Sequence, residues 1–120
     1  MESSADLKVP DFVREERTAK LIAELDGILR VLLKDLPQSK PWQRHLLAQF
    51  TQADRCMQVL RMTICLLRPY EEVRDATDRL LVTLRAAHVS VSTGRADIGT
   101  KTTIRIVFNC TQRLAAAIGR

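Results

Sequence analysis

Apolar positions along this chain recur at steps of three and four in four stretches, separated by short runs rich in proline, glycine and small polar residues. That spacing gathers side chains on one side of a helix. In the first stretch Leu21, Ile22, Leu25, Ile28, Leu29, Leu32 and Leu33 share a face. Asp11, just after Val9-Pro10, predicts a capped start to a helix that runs to about Lys34. Residues 1–10 are expected to be a flexible tail, which leaves 11–120 as a single helical-bundle domain. Gly27 lies inside the helix and costs about 1 kcal/mol relative to alanine. The segment from Leu36 to Pro41 holds two prolines and stops the helix.

Pro41 suits the first position of a second helix. Trp42, Leu46, Phe50, Ala53, Met57, Leu60, Ile64 and Leu67 then form the longest periodic seam in the chain. Val59, Met62 and Leu66 make a second apolar strip beside it, so this helix carries more apolar surface than one bundle core requires. These three residues are the candidate protein interface. Pro69 separates the second helix from a third, where Glu71, Glu72 and Asp75 occupy early turns favoured by the helix dipole. Val73, Thr77, Leu80, Leu84, Ala87 and Val91 supply its face.

After the turn-rich Ser92–Gly99 segment, two patterns compete. Thr100, Ile104, Val107, Thr111, Leu114 and Ile118 fit a helix, whereas Thr102, Ile104, Ile106 and Phe108 alternate like a strand. Paired with Val89 and Val91, the latter would make a β-hairpin near 89–108. The helix is the preferred reading, because three helices need a fourth to close a core and Leu114–Ile118 favours helix. The predicted fold is an all-α, up-and-down four-helix bundle.

Composition leaves this picture intact: 120 residues, 46% hydrophobic and 28% charged, describe one globular domain. The apolar runs are too short for a membrane span. The polar N-terminus lacks the apolar stretch of a signal peptide, so a cytoplasmic location is expected. Cys56, Cys65 and Cys110 include no C-x-x-C pair and are expected to be buried and inert. His45 and His88 stand apart from any ligand-spaced partner, and no phosphate-loop or nucleophile motif is present. No cofactor, metal or catalytic residue is therefore predicted, and the chain reads as a binding protein.

Charge does change the picture. Nineteen Lys and Arg against fourteen Asp and Glu give +5, and the excess is segregated. Residues 36–70 hold five bases and one acid; residues 79–120 hold seven and one. Fourteen of the nineteen bases are arginine, whose forked guanidinium suits phosphate. Lys101, Arg105 and Arg113, with Asn109 between them, recur at multiples of four and form a cationic stripe on the last helix. Arg44, Arg55, Arg61 and Arg68 on the second helix, Arg79 and Arg85 on the third, and the terminal Arg120 complete the candidate nucleic-acid-binding set. Aromatics are scarce, so contact with RNA or DNA is expected to be mainly to backbone phosphate.

One family shares this layout: a first helix ending at Leu36-Pro37, a long apolar second helix, a third containing Leu80-Leu81-Val82-Thr83-Leu84-Arg85, and a last ending Leu114-Ala115-Ala116-Ala117-Ile118-Gly119-Arg120. It resembles the four-helix-bundle family that includes the accessory variability determinant of diversity-generating retroelements and the 23S rRNA intervening-sequence proteins. The resemblance implies a ring-like homo-oligomer, a pentamer, that binds a reverse transcriptase and its template RNA without polymerising. The charge and size also fit a small helical subunit of a CRISPR effector complex, or an adaptor whose arginines meet acidic protein surfaces.

Overall fold

The computed structural model describes the backbone of residues 2–119 and the side chains of residues 16–119. Four helices follow one another: α1 (Glu2–Asp35), α2 (Pro41–Cys65), α3 (Tyr70–Ser92) and α4 (Ile98–Gly119). Each packs on its neighbour in sequence and α4 returns to α1, while among the described residues the diagonal pairs α1–α3 and α2–α4 make no contact. Connections of four or five residues leave no room for a crossover, so neighbours run antiparallel in an up-and-down bundle. The particle measures 59 × 23 × 19 Å.

The core is one stripe from each helix. Leu25 and Leu29 of α1, Leu46, Phe50, Met57 and Leu60 of α2, Leu80 and Leu84 of α3, and Ile104, Val107 and Leu114 of α4 are all essentially inaccessible to solvent. Burying each such side chain contributes about 1.5–3 kcal/mol. The α2 seam holds as far as Ile64 and then breaks, because Leu67 lies beyond the helix end and is 86% exposed. Thr77 and Thr111, buried within the stripes, donate their hydroxyls to the carbonyls of Val73 and Val107, so neither is left unsatisfied.

The hairpin alternative does not form. Residues 98–119 are continuous helix, with Ile104 in the core, Phe108 in the seam with α3 and Ile106 half exposed. Within this β-branched stretch Thr103 donates its hydroxyl to the Gly99 carbonyl at 2.9 Å, a local bond compatible with helix. Asp97 caps this helix, accepting from the Thr100 N–H at 3.1 Å and the Thr100 hydroxyl at 2.7 Å. At the other end, the Tyr70 hydroxyl donates to the Ile118 carbonyl at 2.7 Å, satisfying a last-turn acceptor.

Helix α1 also differs from expectation, since its backbone is helical from Glu2, ahead of the predicted start at Asp11. Proline's φ is a helical value, so Pro10 removes one donor and crowds one carbonyl without preventing the turn. The side chains of the expected tail, residues 1–10, lie outside the described residues. Cysteine burial is likewise uneven: Cys56 and Cys110 are buried, but Cys65 is exposed because α2 has reached its final turn there.

The turn from α2 into α3 carries a left-handed residue that is not glycine. Leu67 has φ 54°, with its N–H on the Ile64 carbonyl and that of Arg68 on the Thr63 carbonyl, the paired bonds of a Schellman turn. Glycine occupies this position without steric strain, whereas a leucine carries a cost of roughly 1–2 kcal/mol. Gly27 is the converse, for a Cβ built there meets nothing within 4 Å. Leu67→Gly and Gly27→Ala should therefore each raise unfolding free energy by about 1 kcal/mol, or roughly 4 °C in Tm, measured by thermal or urea denaturation.

The Asp97 cap predicts a pH effect. The Thr100 hydroxyl and N–H hold the Asp97 carboxyl below its ordinary value. A depressed folded value means the cap's stabilisation is complete above the unfolded pKa and is lost as pH falls through the folded one, a window below about pH 4. Asp97→Asn, which keeps an acceptor without titrating, should flatten the fall of Tm in that window relative to wild type. Asp97→Ala should lower Tm at neutral pH.

Candidate nucleic-acid interface

The α4 stripe is present as a surface. Lys101, Arg105, Asn109 and Arg113 follow the i+4 row along the outer side of the helix, spanning about 18 Å at 1.5 Å per residue. Arg105, Asn109 and Arg113 are exposed and Lys101 is half-buried. Among the described residues no carboxylate lies within 4.0 Å of these three cations. Arg85 joins them from α3, its guanidinium carbon 5.9 Å from the centroid of the Phe108 ring. That ring stacks on His88 at 4.9 Å with 13° between planes. At 5.9 Å the guanidinium is at the outer edge of cation–π range, a weak contact that biases Arg85 toward the α4 side of the α3–α4 seam.

The remaining bases separate by what they touch. Arg61 and Arg30 both bond the Asp26 carboxylate, at 3.1 and 3.2 Å, with Gln58 at 3.5 Å. Asp26 itself is only 8% exposed, so these contacts keep its charge from being buried unpaired. Arg68 forks onto Glu72 at 2.8 and 3.0 Å; the guanidinium holds the Glu72 carboxyl below its ordinary range and Arg68 is raised in turn. Arg79 pairs with Asp75 at 3.3 Å. Arg44 donates to the Gln38 carbonyl at 2.9 Å, and Arg55 has no carboxylate partner among the described residues. Arg120 lies outside the described residues.

Pairing matters because a base already matched to a carboxylate adds little to the potential a phosphate feels. Arg68 and Arg79 are each matched by one carboxylate and Arg61 shares Asp26 with Arg30; Arg85, Lys101, Arg105 and Arg113 have no carboxylate partner among the described residues. Geometry divides the set again. Since α2 and α4 are diagonal in the bundle, Arg44 and Arg55 on the outer face of α2 point away from the α4 stripe. A single rigid ligand meets one group or the other. The structure therefore places Arg85, Lys101, Arg105 and Arg113 along α4 and its seam with α3, and Arg44 and Arg55 on the far side of the bundle.

Val59, Met62 and Leu66 are 56%, 62% and 65% exposed on that same outer face of α2. They form a stripe at i, i+3 and i+7 with Arg55 one turn before it. The His88–Phe108 stack escaped the sequence reading, because two residues twenty positions apart meet only once helix rotation is known. Among the described residues no three His, Cys, Asp or Glu side chains converge as a metal site requires. Burial raises the Cys110 thiol above its ordinary value, which suppresses the reactive thiolate. No described helix is long and apolar enough to cross a membrane. Comparison with known proteins finds no match to this chain among family models, curated proteins or solved structures.

Proposed function

We propose that this protein is a non-catalytic accessory subunit that binds the phosphate backbone of RNA or DNA through α4 and the adjoining edge of α3. The observation that carries the reading is the unmatched cationic row Lys101, Arg105 and Arg113, extended by Arg85 near the Phe108 ring. Four bases on a convex helical face suit phosphates spaced along a strand or groove edge, and they offer no ordered base-reading pocket. Binding is accordingly weakly sequence-specific and strongly dependent on salt. The exposed Val59, Met62 and Leu66 on α2 suit contact with a protein, either further copies of this chain or a larger enzyme. A reverse transcriptase that uses an RNA template is the enzyme implied by the family resemblance, and a pentameric ring is the assembly it implies.

The test is a salt titration of RNA binding by fluorescence anisotropy. Wild type should show log affinity falling linearly with log salt. Lys101→Gln, Arg105→Gln and Arg113→Gln together should reduce the slope by about two and weaken low-salt binding at least tenfold, with circular dichroism unchanged. Arg68→Gln with Arg79→Gln should alter the slope far less, because those bases are already paired. Binding that does not change between low and physiological salt would refute phosphate contact. Light scattering at micromolar concentration checks assembly, and a monomer there counts against the ring.

A further inference from the structure

A cavity of about 700 Å³ opens between α1 and the C-terminal end of α2, where the chain turns into α3. Its size falls within the roughly 300–1,000 Å³ of small-ligand pockets. Ile22, Ile64, Val73 and Ile118 give it apolar walls, and Arg30 and Arg61 of the lining meet on Asp26. Two further lining residues are the ones that violate fold stability, and they do so in opposite directions. Gly27 stands in the middle of a helix where alanine is better, although no neighbour obstructs a Cβ. Leu67 stands in a left-handed turn where glycine is better, and its side chain is almost wholly exposed. Gly27 keeps the space open and Leu67 supplies an apolar lip. Local rules broken together around one cavity, with no gain to the fold, mark a site kept for something outside it.

The charges state what that ligand carries. One carboxylate, Asp26, is shared by two guanidiniums, Arg30 and Arg61, while Arg68 at the rim is matched by Glu72. The wall therefore has one positive charge in excess. Asp26 is reached through Nε of Arg30 and one terminal nitrogen of Arg61, so other donors on both remain for a second anion. We propose that this cavity binds a monoanionic amphiphile of the fatty-acid class, its chain between α1 and α2 and its carboxylate on Arg30 and Arg61. The site is separate from the α4 stripe, so this inference does not depend on nucleic-acid binding.

The experiment is calorimetric titration of sodium dodecanoate, below its micelle concentration, into the full chain, with dodecanol as the uncharged comparison. One saturable site is expected. Gly27→Leu, which places a branched side chain at the cavity wall and improves helix propensity, should lower dodecanoate affinity at least tenfold without lowering Tm. Arg30→Gln, which leaves Asp26 its bond to Arg61, should weaken dodecanoate about tenfold and leave dodecanol unchanged. Absence of saturable binding, or equal binding by wild type and Gly27→Leu, would overturn the proposal. So would self-association in sedimentation that Gly27→Leu abolishes, since the cavity would then be covered by a second copy of the chain.

Discussion

Every other feature of the molecule depends on the narrowness of the buried stripe on each helix. Four helices around a shared axis can each turn only part of their circumference inward, and connections of four or five residues fix the order in which they stand. Once Phe50, Met57 and Leu60 of α2 face Leu80 and Leu84 of α3, the rotation of both helices is set, and with it the direction of every polar side chain. Arg85 reaches the α4 seam for this reason and Arg55 does not. The placement of charge is thus a by-product of packing, although its consequences are electrostatic.

That dependence explains what the amino-acid pattern revealed and what it withheld. The four-helix architecture was legible because period-3.6 spacing in residues 46–60 and 80–91 is a local property, and the prolines at 37, 41 and 69 punctuate it. The contest at 100–108 was decided by tertiary demand, since only a helix puts Ile104, Val107 and Leu114 on a common face against α1 and α3. Leu67 fits the α2 seam by spacing yet lies outside it, because a Schellman turn normally advertises itself with glycine and here it does not. The early start of α1 is hidden for a similar reason, since Pro10 before the capping residue Asp11 suggests a boundary although proline's φ is compatible with a continuing helix.

The candidate site was legible in composition and only partly in arrangement. The stripe Lys101–Arg105–Arg113 follows from spacing alone. Whether a base is matched does not, unless its partner lies four residues away, as Glu72 does from Arg68 and Asp75 from Arg79. The bond between Asp26 and Arg61 joins residues thirty-five apart, and no local rule finds it. Ten candidate bases were therefore reduced to a working group of four by geometry, through pairing that a charge count cannot see.

The diagonal placement of α2 and α4 has a mechanical consequence. Their outer faces are separated by the full width of the bundle, about two nanometres by its 23 and 19 Å cross-section. Whatever rests on the cationic side and whatever rests on the apolar side are held apart by a packed core that neither needs to deform. If both faces are occupied as proposed, the bundle would act as a spacer, raising the local concentration of one occupant near the other by tethering alone.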